Sequence, residues 1–207
     1  MQPYLLSILS GLCIAAAFPD TDWNLLAWVG LLPFFMAVEG RGWRETFRIG
    51  YAGGVAFWWG LMYWLTNVTV AGFLVLTLYL ALYFPLFGVL MNAARRRSPA
   101  PWWLAAPVLW TALEYARTYA FTGLPWGVLG VTQHRAIPLI QFASITGVYG
   151  VSFLVVLVNA AIYECAAGRG RRRFAPAACA ASVNRRTGVI VPTTFDARFS
   201  ATWRRYR

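Results

Sequence analysis

Long apolar runs fill most of the first 167 residues, and they restrict the chain to folds that a lipid bilayer can accommodate. A window of about 19 residues, close to the helix length that crosses the hydrocarbon core, finds six candidate spans. In chain order they are residues 4–18, 23–38, 49–66, 70–93, 102–121 and 145–166. Since only 12% of the 207 residues are charged, polar side chains are too few to cover a soluble globule. The sequence predicts an all-α, polytopic membrane bundle of about six transmembrane helices.

Local sequence adds detail to three parts of this bundle. The first two spans are short for a bilayer, which predicts either spans with little tilt or a helical hairpin through the turn at Phe18-Pro19-Asp20. Pro85 lies within the fourth span and predicts a kink there. In the third span, Gly50 and Gly54 form a GxxxG pattern, which predicts that two helices approach each other closely.

The positive charge is concentrated at one end of the sequence. The formal net charge is +11, but residues 1–167 contain eight Arg and six Asp or Glu, a net of +2. Residues 168–207 contain ten Arg against Asp196 alone, a net of +9. The sequence therefore predicts a transmembrane domain at 1–167 and a basic, disordered tail at 168–207. A nucleic-acid partner is not indicated, because the membrane body is nearly neutral.

The residue types exclude some chemistries. All 18 basic residues are Arg, so these residues cannot carry out a reaction that requires a lysine amine. Cys13, Cys165 and Cys179 lie far apart, without CxxC pairs or His neighbours, so neither a disulfide framework nor a metal site is indicated. No motif indicates a cofactor.

The positions of the arginines predict how the spans are oriented. Arginines occur in the second and fourth connections and directly after the sixth span, whereas the first and third connections contain none. Because cytoplasmic loops carry the excess of Lys and Arg, both termini are predicted to lie in the cytoplasm. The connection at 122–146 then faces outward.

Two ionisable residues lie within the fifth span. Glu114 and Arg117 are three positions apart, so on a helix they share a face. Ionisable groups inside a span are costly and commonly have a function. One interpretation is that Arg117 reaches a phosphate while Glu114 holds it or orients a polar substrate group. The alternative is an internal ion pair between helices.

The stretch that follows, residues 122–130, is too apolar for a water-exposed loop and too rich in Gly and Pro for a spanning helix. Non-helical backbone at membrane depth must be buried against protein or line a cavity, so this stretch is predicted to form a wall with Trp126 as a large amphipathic surface. Gln133 and Gln141 offer amide donors and acceptors. The alternatives are an interface anchor for Trp126 and ordinary loop solvation for Gln133. His134 is predicted to be a surface loop residue.

Several short motifs occur in an order and spacing that resemble one protein family. They are Phe18-Pro19, Gly50-Tyr51-Ala52-Gly53-Gly54 with Trp64, Glu114-Tyr115-Ala116-Arg117, Gly123-Leu124-Pro125-Trp126, Leu129-Gly130-Val131-Thr132-Gln133, Ile140-Gln141, and Gly147-Val148-Tyr149-Gly150-Val151-Ser152 with Asn159. Over about residues 4–167 the sequence resembles the N-terminal membrane region of apolipoprotein N-acyltransferase.

The resemblance implies an activity, partners and a location. Members of that family transfer an acyl chain from a phospholipid to the N-terminal diacylglyceryl-cysteine of lipoproteins, in the bacterial inner membrane. The implied partners are a phospholipid acyl donor and a diacylated lipoprotein. The candidate substrate-binding residues are Glu114, Arg117, Trp126, Gln133 and Gln141.

The same resemblance implies a catalytic domain that these residues do not contain. Family members carry a nitrilase-like domain whose Glu, Lys and Cys form an acyl thioester and transfer the acyl group. This sequence contains no Lys, and none of its cysteines lies beside a base that would make it a thiolate nucleophile. No catalytic residue is therefore assigned, and the chain alone is expected to be a truncated, catalytically incompetent form.

The tail at 168–207 departs from the family pattern. Residues 174–182 have the composition of a beginning helix, and then the membrane pattern stops. We interpret the change near 180–184 as a frameshift or a misplaced gene end. The alternative is a native tail that binds anionic lipid, each Arg near the surface contributing about 1 kcal/mol. Two other functions stay open for the whole chain: a non-catalytic membrane scaffold and a small six-helix transporter.

Overall fold

The computed structural model describes residues 1–97, 101–120, 123–167, 181–183 and 190–192. It separates the chain into two units, Met1–Glu164 and Cys165–Arg207. The helices are α1 (Gln2–Ala16), α2 (Leu32–Val38), α3 (Trp43–Met62), α4 (Val70–Leu80), α5 (Tyr83–Arg97), α6 (Trp102–Tyr119) and α7 (Ile137–Ala166). Short 3₁₀ helices lie at Asn24–Trp28, Tyr63–Asn67 and Leu129–Gln133.

The described part of the first unit consists of helices and turns without strands, which confirms the all-α class. In the second unit, β1 (Ala181–Val183) and β2 (Ile190–Pro192) pair antiparallel, with Ser182 opposite Val191. These strands belong to the tail at 168–207. The rest of that tail, on which the prediction of disorder and much of the frameshift hypothesis depend, lies outside the described residues.

The span predicted at 23–38 is not one continuous helix. It contains a 3₁₀ helix and then α2, with a break between them. At the break the Ser10 hydroxyl donates to the Gly30 carbonyl (2.6 Å), and the Leu31 N–H donates to Asn159 Oδ1 (3.0 Å). Polar side chains from α1 and α7 therefore replace hydrogen bonds that a regular helix would supply. These side-chain bonds satisfy the backbone groups where the helix is interrupted.

The span predicted at 70–93 is also divided. α4 ends at Leu80 and α5 begins at Tyr83, so the interruption precedes Pro85. Pro85 lies in the first turn of α5, where backbone N–H groups have no partner within the helix and a missing N–H costs little. The kink predicted from Pro85 is therefore present one turn before the proline, where the Ala81 carbonyl cannot accept an N–H from Pro85.

The last helix of the first unit starts earlier than predicted and bends. α7 begins at Ile137 rather than at 145, and it is interrupted at Gly147, whose φ of 69° and ψ of 176° are not helical. In the described part of the chain, two helical stretches are long and apolar enough to cross a membrane, Val70–Arg97 and Ile137–Ala166. The count of six spans stays a prediction.

Glycines of α3 allow close helix contacts, as the GxxxG pattern predicted. A Cβ atom on Gly50 would lie 2.6 Å from the Cα of Pro85 in α5, and one on Gly54 would lie 2.9 Å from the Cβ of Phe84. Both distances are too short for a real side chain, so α3 and α5 touch through backbone.

An aromatic core fixes α6 against its neighbours. The rings of Phe87 and Trp110 pack edge-on with centroids 5.0 Å apart, and those of Phe35 and Trp102 pack edge-on at 5.5 Å. Such pairs stabilise by about 0.5–1.5 kcal/mol beyond the area that they bury. Because Trp110 lies one turn before Glu114, this packing also positions the ionisable residues of α6.

Candidate functional site

The segment at residues 123–133 folds back against the end of α6 and ends in a 3₁₀ helix. Two glycines make its path possible: Gly123 has a φ of +72° and Gly127 a φ of +69°, in the left-handed region that other residues rarely adopt. A Cβ atom on Gly127 would also lie 2.6 Å from the Trp58 ring. Glycine at position 127 is therefore required both by the backbone angle and by the space.

Glu114 attaches this segment to α6. Its side chain is only 4% exposed, and Oε1 accepts hydrogen bonds from Trp110 Nε1 and from the Leu129 N–H, both at 2.8 Å. The hydroxyl of Ser152 also faces this carboxylate, and it accepts from the Gly130 N–H at 2.8 Å. One carboxylate thus binds the first residue of the 3₁₀ helix, whose N–H has no partner within that helix.

Arg117 attaches the same segment at a second point. Arg117 is 5% exposed, and its guanidinium lies 4.8 Å from the centroid of the Trp58 ring and donates to the Gly127 carbonyl at 3.2 Å. Its own carbonyl accepts from the Leu124 N–H at 3.3 Å. The shared helix face indicated by the sequence is present, but Glu114 and Arg117 form no ion pair within 4.0 Å. Each binds the 123–133 segment instead.

Gln133 closes the far end of the segment. It is 4% exposed, so ordinary loop solvation does not describe it. Oε1 accepts from Trp28 Nε1 at 3.0 Å, and Nε2 donates to the Asn24 carbonyl at 3.1 Å. The amide therefore joins the segment to the 3₁₀ helix at Asn24–Trp28.

Trp126 presents the exposed surface of the segment. Its side chain is half exposed and meets the Trp64 ring edge-on, with centroids 5.3 Å apart. Both indoles line a groove of about 320 Å³ together with Pro19, Asp20 and Met62. Among the described residues that line the groove, Asp20 has the one charged side chain, and most of the others are apolar.

Gln141 lies apart from the other candidates. It is exposed, on the part of α7 that precedes Gly147. Among the described residues no hydrogen bond joins its side chain to Glu114 or Gln133. The structure thus brings Glu114, Arg117, Trp126 and Gln133 together around one segment and leaves Gln141 outside that group.

The site also contains residues that were not among the candidates predicted from the sequence. Trp110 was detectable, because it lies four positions before Glu114 and therefore shares its helix face. Trp58 and Ser152 come from α3 and α7, and no local sequence pattern relates them to α6.

His134 is partly exposed, as expected for a loop residue. Its Nε2 nevertheless lies 3.8 Å from a carboxylate oxygen of Asp22, and Asp22 also forms a salt bridge with Arg135 at 2.5 Å.

Comparison with known proteins supports, over most of the chain, the family resemblance indicated by the sequence motifs. Residues 10–161 match the family model described as apolipoprotein N-acyltransferase N-terminal domain. An apolipoprotein N-acyltransferase of Geobacter metallireducens is 38% identical over 186 residues, covering 84% of this chain and 36% of the relative. One from Pasteurella multocida is 32% identical over 172 residues, covering 78% of this chain and 32% of the relative.

The chain spans about a third of the length of the curated relatives that it matches. The match to the family model nevertheless covers well over half of the 207 residues, and it includes α3 to α6 and the 123–133 segment. The chain therefore belongs to the apolipoprotein N-acyltransferase family, and it corresponds to the N-terminal domain of that enzyme.

Proposed function

We propose that this chain forms the membrane region of a phospholipid:apolipoprotein N-acyltransferase. In that role it holds a phospholipid acyl donor and a diacylated lipoprotein in the bacterial inner membrane, next to catalytic residues that are not among these 207. The family assignment supports the reaction class. The complete absence of Lys supports the location of the catalytic residues outside these 207, because the Glu, Lys and Cys set implied by the resemblance cannot be assembled from them.

The observation that carries this proposal is the way the 123–133 segment is fixed. Glu114, Arg117 and Gln133 are buried and use their polar atoms to hold backbone or Trp28, while Trp126 faces the groove. We assign Trp126 to direct contact with the apolar part of a substrate. The three buried residues are positioning residues, which act on substrate through the segment that they hold.

Gln141 receives a separate role in the proposal. Its amide is exposed and offers both a donor and an acceptor. We assign it to a polar group of a substrate that lies alongside α7. This role predicts that replacement of Gln141 alters activity without altering stability.

The membrane arrangement is part of the same proposal. About six spans with both termini in the cytoplasm place the 123–133 segment on the outer side. The two long apolar stretches, Val70–Arg97 and Ile137–Ala166, support membrane insertion. Single-cysteine labelling from outside the cell tests the orientation, in a chain whose native cysteines have been replaced by serine. A cysteine at 135, an exposed position in the same connection, should react with a membrane-impermeant maleimide, and one at 42, also exposed, should not.

A hybrid enzyme tests the proposed activity. The matching N-terminal domain of the Geobacter metallireducens relative is replaced by residues 1–167 of this chain, and N-acylation of a diacylated lipoprotein peptide is measured by mass spectrometry. We expect the hybrid to acylate the peptide and the 207-residue chain alone to give no acylated product. A hybrid that inserts and folds but transfers no acyl chain contradicts the membrane-region assignment, whereas acylation by the 207-residue chain contradicts the proposed lack of activity.

Matched variants of the hybrid test the groove. Trp126→Ala removes an indole that lines the groove, whereas Trp23→Ala removes a more exposed indole that does not. We expect a large loss of acylation for the first and little change for the second. Equal activity of the two variants contradicts the role given to Trp126.

A further inference from the structure

A small cavity lies between α3, α5 and α6, beside the two ionisable residues of the site. Its volume is about 30 Å³. Six aromatic side chains from the three helices, with Leu113, form most of its wall, and Glu114 and Arg117 complete it. The cavity therefore combines an apolar wall with one acidic and one basic group.

Two polar atoms of the residues that line this cavity have no hydrogen-bond partner among the residues that the structure describes. They are Oε2 of Glu114 and Nε of Arg117, and both atoms are buried. The hydrogen bonds of Glu114 to Trp110 and Leu129 use the other carboxylate oxygen, and that of Arg117 to Gly127 uses a terminal nitrogen. A buried polar atom left without a partner destabilises the folded state, and a charged one does so more strongly.

The two side chains do not satisfy each other directly. No nitrogen of Arg117 lies within 4.0 Å of a carboxylate oxygen of Glu114. A molecule that bridges such a gap makes one hydrogen bond of about 2.7–3.2 Å to each side. It must accept from Nε–H and donate to Oε2, because a guanidinium has only donors and a carboxylate only acceptors.

Charge and size define the ligand further. For an ion placed between them, the attraction by one group is offset by the repulsion from the other, so the pair gives an ion little net attraction to offset its desolvation, and a neutral ligand fits both groups. About 10–15 Å³ is enough for one water molecule, so this cavity has space for one or two and for little else. Tyr83, which also lines the cavity, is a third polar residue there, and buried waters typically make about three hydrogen bonds.

We propose that this cavity is a water-binding site, in which one or two water molecules accept from Arg117 Nε and donate to Glu114 Oε2. The bound water links the two ionisable side chains while the other carboxylate oxygen keeps its bond to Leu129. Glu114 and Arg117 are then a water-separated pair. This inference is independent of the acyltransferase role, since it concerns only the described contacts of three helices.

X-ray hydroxyl-radical labelling of the 207-residue chain in lipid nanodiscs tests the proposal. Radicals form from water, so buried residues beside a bound water are oxidised although bulk solvent does not reach them. Trp110 and Trp102 are matched probes, because each is 7% exposed and Trp110 alone of the two lines the cavity. We expect several-fold more oxidation at Trp110 than at Trp102. Equal oxidation of the two indoles overturns the proposal.

A pair of variants locates the water. Leu113→Phe enlarges a side chain of the cavity wall, whereas Leu109→Phe enlarges one a turn earlier on α6 that is outside the wall. The first variant should lower the oxidation of Trp110 to the level of Trp102, and the second should not. Unchanged oxidation in a folded Leu113→Phe chain overturns the proposed location. If that variant does not fold, the comparison of Trp110 with Trp102 in the unaltered chain decides alone.

Discussion

The carboxylate of Glu114 accepts a hydrogen bond from the backbone N–H of Leu129, at 2.8 Å and 15 residues further along the chain. This bond joins the interior of α6 to the first residue of a 3₁₀ helix. Both groups are buried, so bulk solvent does not compete for this hydrogen bond. The position of the 123–133 segment therefore depends on a side chain of α6 as well as on its own sequence.

Replacing Glu114 should destabilise the chain strongly. Glu114→Ala leaves the Trp110 indole and the Leu129 N–H buried without an acceptor, and we expect a loss of about 2–5 kcal/mol of unfolding free energy. The control is Glu45→Ala, which removes an exposed partner of Arg41 and should change stability very little. Unfolding in mixed micelles, followed by Trp fluorescence, measures both. A Glu114→Ala chain as stable as Glu45→Ala would show that Glu114 does not hold the segment.

Two glycines have nearly the same φ but different surroundings, so replacing each by Ala distinguishes the cost of backbone strain from the cost of crowding. Gly40 has a φ of +70° and no atom within 4 Å of an added Cβ, whereas Gly127 has a φ of +69° and the Trp58 ring at 2.6 Å. Gly40→Ala should cost about 1–2 kcal/mol through the backbone alone. Gly127→Ala should cost clearly more, because the Trp58 ring must also move. Similar unfolding free energies for the two variants would exclude the crowding.

The two candidate glutamines should differ in how they affect stability. Gln133→Ala removes an acceptor from Trp28 and a donor to Asn24 in a buried place, so we expect a loss of about 1–3 kcal/mol. Gln141→Ala alters an exposed residue and should leave stability within about 0.5 kcal/mol. Thermal unfolding in detergent measures this difference. In the hybrid enzyme, lower activity of Gln141→Ala at unchanged stability would agree with the substrate contact proposed for it.

The break before α2 should depend on Asn159. This side chain accepts from the Leu31 N–H and donates to the Ala27 carbonyl at 2.8 Å, and it is fully buried. Asn159→Ala should cost about 2–4 kcal/mol, since both backbone groups lose a partner. Asn67→Ala, at an exposed position, is the control. Limited proteolysis at residues 27–31 gives a second measure, and protection equal to that of the control would contradict the prediction.

The sequence predicts those parts of this molecule that depend on neighbours within one helix. The three-residue spacing placed Glu114 and Arg117 on one face, and the GxxxG pattern placed close contacts on α3. Both follow from helix periodicity, which any sequence displays directly. The Gly- and Pro-rich apolar stretch at 122–130 also predicted non-helical backbone that is buried against protein or lines a cavity.

Features that depend on distant partners could not be predicted in this way. Pro33, in the first turn of α2, is a local signal for the break near Gly30, but the residues that stabilise the break, Ser10 and Asn159, are 20 and 128 residues away from their backbone partners. A window that averages hydropathy cannot detect such pairs. The same holds for Ser152 and Trp58 at the candidate site, because their contacts with the 123–133 segment exist only after α3, α6 and α7 have packed.

The hydrogen bonds of Asn159 also set an order of events during synthesis. Its two backbone partners near the start of α2 precede it by 128 and 132 residues. At about 5–20 residues per second, a ribosome takes on the order of ten seconds to make that length of chain. Throughout this interval the Leu31 N–H and the Ala27 carbonyl have to be satisfied by water, by lipid headgroups or by the insertion machinery. The N-terminal part of the bundle can therefore reach its final form only after α7 has been made.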